Sequence, residues 1–212
     1  MHSLRSHYNI RSQDGLIIFA KAPQICRVKT RMLAQFNHRQ CLYLYRHLLH
    51  DTYQQAHSRR YRVTLYTAGP GMSGTQKQRG YDLGQRMLHA LQAQLKTHQR
   101  VVLIGADSLV TSAIIEQAFA HLDKPNAVVI GPANDGGYML IGAHTRIPQE
   151  LFCAMQWGHA GVLSTTLTRL NRRGLQTRLL APVIDLDTPA DWQQMLARQS
   201  RPSWTQCLLK CV

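Results

Sequence analysis

The 212-residue sequence predicts a three-layer α/β fold. Val101–Ile104 is a run of four aliphatic residues, the composition of a strand covered by helices on both faces. Similar short apolar runs alternate along the chain with segments whose apolar residues recur every three or four positions. Capping residues, Gly and Pro punctuate this alternation, and neither an internal repeat nor a linker interrupts it.

Residues 1–14 are polar and basic and read as a loose lead-in; residues 15–200 read as a single domain, and 201–212 as a tail of undecided structure. Leu16–Phe19, after Asp14-Gly15, is the first strand. Ala20–Leu33 contains Pro23 and four cations and reads as a loop entering a helix. From His38 to Ala56, the positions Leu42, Tyr45, Leu49, Thr52 and Ala56 have helical spacing. Arg62–Thr67 is a second strand and Gly69–Gly74 a flexible loop. Gly84, Met87, Leu88, Leu91 and Leu95 mark a helix ending near His98. After Val101–Ile104, the helix Thr111–Leu122 takes Thr111 or Ser112 as its cap. Ala127–Gly131 and Tyr138–Gly142 are further strands, and Val162–Asn171 is a helix with Gly174 as its stop. Thr177–Leu180 is a last short strand, and Thr188-Pro189 opens a helix with Pro at its first position.

Lys and Arg number 25 against 11 Asp and Glu, a net charge of +14 that points to an anionic partner: a nucleotide, a nucleic acid or an anionic membrane surface. The basic residues are scattered, and Arg59-Arg60 and Arg172-Arg173 read as solvated charges near helix ends. The chain has neither a DNA-reading motif nor an aromatic single-strand platform, so nucleic acid is not the expected partner. Five cysteines form no CxxC pair and no zinc-ligand set; Cys207 and Cys211 could share a helix face, but two thiols alone rarely make a structural metal site. An odd count without a secretory signal fits a reducing cytoplasm. No apolar run approaches the roughly 20 residues that span a bilayer, so no transmembrane segment is expected.

Four constellations could carry chemistry. In FAKAPQICRVKTR, Lys21, Arg27, Lys29 and Arg31 crowd the first strand-to-helix turn, where charge and helix N–H groups suit a di- or triphosphate. The loop lacks the glycines of a Walker loop. Asp107, after Gly105-Ala106, emerges where open α/β sheets hold ligands and can anchor a hard divalent cation; it could equally cap the next helix, as could Ser108. Asp135-Gly136-Gly137 permits close approach by a ligand, but between two apolar runs it is also an ordinary hairpin turn. Tyr138 could stack on a ring or face the core. In DLDTPADW, Asp187 is the candidate second metal ligand in preference to Asp185, because it precedes a cap formed by Thr188 and Asp191.

Taken in order, FAKAP…RVKTR, RGYDLGQRM, IGADS, GPANDGGYMLIG and DLDTPADW closely resemble a bacterial GT-A-like transferase family, whose members are called glycosyltransferases or radical-SAM/selenodomain-associated transferases. The resemblance runs from about Leu16 to Trp192. It implies a nucleotide-diphospho-sugar transferase fold: a mixed, mostly parallel sheet between helices, with the nucleotide over the strand ends. The first motif also looks like the basic loop of phospholactate guanylyltransferase. The resemblance assigns Ala20, Lys21, Pro23, Lys29 and Arg31 to the nucleotide and its phosphates. It places Asp82, Arg86, Asp135, Gly136, Gly137 and Tyr138 around nucleotide or acceptor, with Asp107 as main ligand of Mg²⁺ or Mn²⁺. Asp107, Lys29 and Asp135 are the implied catalytic residues. Two departures stand out: the family has Gly at Cys26 and Pro at Leu109.

The expected activity is metal-dependent glycosyl transfer from a nucleotide-sugar, a nucleotide-linked small-molecule substrate, to an unknown acceptor. The alternatives are nucleotidyl transfer from a nucleoside triphosphate, releasing pyrophosphate, and a catalytically silent nucleotide-binding protein. Acceptor and oligomeric state are left open.

Overall fold

Seven strands form one sheet in the computed structural model, which describes residues 14–58, 60–183, 185–197, 202 and 204–210. The expected lead-in at 1–13, Arg59 and Cys211 lie outside the described residues, as does the side chain of Cys207.

The chain runs through β1 (Asp14–Lys21), a 3-10 turn (Thr30–Ala34), α1 (His38–Gln55), β2 (Arg62–Ala68), β3 (Gln76–Lys77) and α2 (Leu83–Leu95). It continues through β4 (Arg100–Gly105), α3 (Ser112–Ala120), β5 (Ala127–Pro132), β6 (Tyr138–His144) and a second 3-10 turn (Gln149–Leu151). α4 (Val162–Arg172), β7 (Gln176–Leu179), α5 (Pro189–Leu196) and α6 (Trp204–Lys210) complete it. The sheet order is β3-β2-β1-β4-β6-β5-β7. β6 runs antiparallel to both neighbours, β4 and β5, and every other pairing is parallel. The expected mixed, mostly parallel three-layer α/β sheet is therefore the fold.

Alternation along the strands builds two cores. Leu16 and Ile18 of β1, with Val102 and Ile104 of β4, pack against Ile115 and Phe119 of α3. Ile17, Val101 and Leu103 point the other way, against Leu88 and Leu91 of α2 and Leu170 of α4. Runs such as VVLI are apolar throughout because both faces are covered. A third cluster joins Cys41, Leu44 and Leu48 of α1 to Trp192 of α5 and Trp204 of α6. At the amino end of the sheet, Arg100 donates both Nε and Nη2 to the Asp14 carboxylate, at 2.6 and 2.7 Å, which ties β1 to β4.

The structure departs from the sequence reading at four places. The buried stripe of α1 is Cys41, Leu44, Tyr45, Leu48 and Thr52; Leu42 and Leu49 are only half-buried, because α1 packs on two sides rather than one. β3 was not expected, being two polar residues without a period to detect. The basic loop enters a 3-10 turn rather than a helix, and α1 begins only after Asn37 caps it with a Gln40 capping box. α6 forms in the undecided tail, held to α1 by a Trp204 indole N–H donated to the Asp51 carboxylate.

The carboxyl ends of β1, β2 and β4 lie at one edge of the sheet. Because β6 is antiparallel, its first residue, Tyr138, and the turn at 133–137 reach the same edge. Ligands of open α/β sheets bind at such an edge.

Candidate functional site

Asp107 follows β4 at this edge. Ser108 bridges antiparallel to Asp185, and Leu186 N–H donates to the Asp107 carbonyl at 3.3 Å, so the DLDT segment is stitched beside Asp107. The α3 cap is Thr111, whose hydroxyl accepts from Ile114 N–H at 3.4 Å, and Asp107 is thereby free of capping duty.

Into this acidic corner comes Lys29, with a side chain only 1% exposed. Its Nζ lies 3.4 Å from Asp107 Oδ2 and 3.5 Å from Asp187 Oδ1, and it donates to the Asp107 carbonyl at 3.4 Å. Arg31 reaches Asp187 Oδ2 at 3.1 Å. Lys29 has φ 49° and Cys26 φ 64°, both in the left-handed region. Glycine is at ease there, so the departure at Cys26 puts a Cβ where the backbone favours none. At the start of the same loop, Tyr45 Oη accepts from Lys21 N–H at 2.8 Å and donates to Lys21 C=O at 2.9 Å. Burial, reinforced by the Asp107 charge, raises the Tyr45 hydroxyl, keeping the proton that this double clamp needs. Pro23 is half-buried within the loop, and Arg27 is exposed.

A cleft of three adjoining hollows opens over the strand ends. The central one, about 300 Å³, is lined by Ala20, Lys21, Arg86, Asp107, Tyr138 and Asp185 among others. A second, about 180 Å³, shares Tyr138 and Asp185 with it and adds Asp135 and Gly137. A third, about 170 Å³, holds Arg31, Asp135, Asp185 and Asp187. Arg86 is steadied by donating Nε to the Gly80 carbonyl at 3.0 Å. The structure thus brings most of the expected residues to one cleft. It sets Asp82 apart: this residue caps α2 by accepting from Gln85 N–H at 2.8 Å, and it lines a separate recess with His89 and Cys153.

The Asp135-Gly136-Gly137 segment is the β5–β6 turn. Gly136 N–H donates to the Ala133 carbonyl at 3.4 Å and Gly137 N–H to Asp135 Oδ1 at 2.9 Å. Gly136 has φ 84°, and a Cβ there would stand 2.3 Å from the Ala160 carbonyl oxygen. Its glycine is needed both for the turn and for close packing against segment 157–161.

Asp185 is the residue the sequence reading passed over in favour of Asp187. Its Oδ1 is buried without a hydrogen-bond partner. Burial foremost, and then the Asp107 charge, push its carboxyl up to about 7, with Lys29 pulling the other way and Asp187 and Asp135 adding to the rise. The alternation of DLD was the available signal; only the bridge to Ser108 reveals that Asp185, too, faces Asp107. Tyr45, Trp157 and His159 were also missed, since helical or loop position alone does not mark them.

The chemistry of this donor set suits a hard divalent cation. Asp107, Asp185 and Asp187 offer carboxylate oxygens, one of them buried and unpaired, and Mg²⁺ or Mn²⁺ takes one or two such ligands plus phosphate oxygens and water. Among the described residues, no group of three or more His, Cys, Asp or Glu side chains is placed to hold a metal ion together, so at most two of these carboxylates would share one, and Lys29 stands between Asp107 and Asp187.

The fold is that of the nucleotide-diphospho-sugar transferases. The chain is similar to the crystal structure of a proposed nucleotide-diphospho-sugar transferase from Desulfovibrio desulfuricans G20, at a TM-score of 0.85 and 28% identity over 93% of this chain and 94% of that one. A cytidylyltransferase from Leptospira borgpetersenii shares the fold at a TM-score of 0.53 and 14% identity, over 94% of this chain and 93% of that one. A nucleotidyl transferase from Methanothermobacter shares it at a TM-score of 0.53 and 11% identity, over 93% and 99%. No curated protein matches the sequence. Residues 32–159 match the DUF2064 family model, described as an uncharacterized protein conserved in bacteria, and the chain belongs to that family. The match spans Asp82, Arg86, Asp107 and Asp135–Tyr138, while the basic loop before Met32 and the late acidic pair lie beyond it.

Proposed function

We propose that the protein is a divalent-metal-dependent transferase that draws on an activated nucleotide, with glycosyl transfer from a nucleotide-sugar as its reaction. The observation that carries this reading is the pairing of opposite chemistries in one cleft: Lys21 and Arg86 on its wall, and Asp107, Asp185 and Asp187 converging at its floor. Lys21 and Arg86 hold the diphosphate. Asp107 and Asp187 would hold Mg²⁺ or Mn²⁺, which when bound neutralises charge on the leaving diphosphate. Lys29 keeps those two carboxylates oriented toward each other, and Arg31 braces Asp187 from outside. Asp135 accepts the acceptor's proton. The free thiols of Cys26, Cys41 and Cys153 agree with a reducing, cytoplasmic setting, and among the described residues no helix is long and apolar enough to cross a membrane.

Nucleotidyl transfer is the competing reaction, supported by the likeness of the basic loop to that of phospholactate guanylyltransferase. A thermal-shift screen of nucleoside triphosphates and nucleotide-sugars, with and without Mg²⁺, tests the shared reading. The expected result is a Mg²⁺-dependent shift for the wild type that Asp107→Asn loses; an undiminished shift in the variant overturns the metal assignment. Mass spectrometry of the products then separates the reactions, since one releases nucleoside diphosphate and the other pyrophosphate.

A further inference from the structure

We propose that the 180 Å³ hollow beside the central one is the acceptor site, and that it selects an uncharged or amine-bearing small molecule over a phosphate or carboxylate. This inference rests on the transferase reading above and adds the class of the second substrate.

The lining makes the selection. Leu83, Met87, Tyr138, Trp157 and Val162 form an apolar, aromatic side. Asp135, Asp185 and His159 form the polar side, and no Lys or Arg is among the described residues that line it. The central hollow, by contrast, carries Lys21 and Arg86. Like charge placed against the Asp135 carboxylate, with no cation among the described lining residues to offset it, is unfavourable, so an anionic acceptor is turned away where a hydroxyl or ammonium group is welcomed. The two hollows share Leu83, Met87, Tyr138 and Asp185, so their occupants would abut. The volume has room for a single ring with a short substituent, since a cavity of about 150 Å³ accepts benzene.

The walls are built to hold shape. Leu163 N–H donates to the Gly136 carbonyl at 2.9 Å, which pins the start of α4 to the β5–β6 turn. The Tyr138 and Trp157 rings meet edge to face at 6.3 Å and 79°. A Cβ on Gly84 would come within 2.7 Å of Trp157 Cζ2, so α2 approaches that indole as closely as a glycine allows. His159 Nδ1 accepts from Gly161 N–H at 3.0 Å, leaving the neutral ring's proton on Nε2. His159 is thus a donor here and Asp135 is the base. In the transfer, an acceptor O–H or N–H gives its proton to Asp135 while its lone pair forms the bond to the sugar's anomeric carbon. The carbon–oxygen bond to the diphosphate breaks, and the nucleoside diphosphate leaves with that electron pair.

The full chain labelled with ¹⁵N-tryptophan tests this, with the Trp157 indole signal identified by its loss in Trp157→Phe. Benzylamine, benzyl alcohol and phenyl phosphate serve as matched probes. The amine and alcohol are expected to shift that signal saturably, phenyl phosphate to bind about tenfold more weakly or not at all, and Asp135→Asn to abolish the preference for the amine. Phenyl phosphate shifting the signal as tightly as the amine, or neither neutral nor cationic probe shifting it, overturns the inference. Nucleotide binding, followed separately by thermal shift, reports on the transferase reading, so its failure is distinguishable from failure at this hollow.

Discussion

Replacing Lys29 with Met removes a buried cation that lies 3.4 Å from Asp107 and 3.5 Å from Asp187. At an effective dielectric constant of about 20, each contact is worth about 5 kcal/mol before screening. Asp107 and Asp187 are 42% and 33% exposed, so water reduces each contribution to about 1 kcal/mol. The variant also sheds the cost of burying an ammonium group, which offsets part of the loss, while leaving the carboxylates to repel one another. The net expected loss is about 1–3 kcal/mol, or about 3–9 °C in Tm for a chain of this size. Thermal unfolding followed by circular dichroism in chelator measures it. Because the divalent ion can take over the charge Lys29 supplied, Mg²⁺ or Mn²⁺ is expected to raise the Tm of Lys29→Met by more than that of the wild type. An unchanged Tm in chelator, together with no enlarged response to the ion, refutes the role given to Lys29.

Two further outcomes are expected. Gly136→Ala forces a side chain at φ 84° to within 2.3 Å of the Ala160 carbonyl oxygen, and a loss of about 3 kcal/mol or more should appear as a lower urea midpoint; a midpoint within error of the wild type would contradict the packing described. Asp185 has a folded value of about 7, above its value in the unfolded chain, so its neutral form favours folding at low pH and that contribution is lost as pH rises from about 4 through 7. In chelator, Asp185→Asn should gain stability relative to the wild type across that window, by at most about 2–4 kcal/mol; a pH-independent difference between the two proteins would contradict the burial and charge around Asp185.

Much of the scaffold was legible because its signals are local. The four-residue run VVLI, buried on both faces, announces a central strand of a covered sheet, and Thr188-Pro189 with Asp191 announces the start of α5, where a capping box indeed forms. Elements with weak local signals were missed. β3 is two exposed polar residues paired to β2, and α6 is a short helix whose buried Trp204 and Leu208 join a cluster built from α1 and α5. The buried stripe of α1 is only partly legible because a helix touched on two sides has no single apolar face.

Sequence alone determined the α/β class and marked Asp107, the basic loop and the DGG turn as places where chemistry could gather, since strand runs, caps and glycines act over a few residues. Tertiary structure decided which of them meet. Asp107 and Asp185 are 78 positions apart, yet the Ser108–Asp185 bridge sets them side by side; Lys29, equally distant in the chain on the other side, inserts between Asp107 and Asp187. That convergence depends on β1 and β4 being parallel neighbours and on the late acidic segment returning to their carboxyl ends, a matter of long-range pairing that no window of sequence encodes.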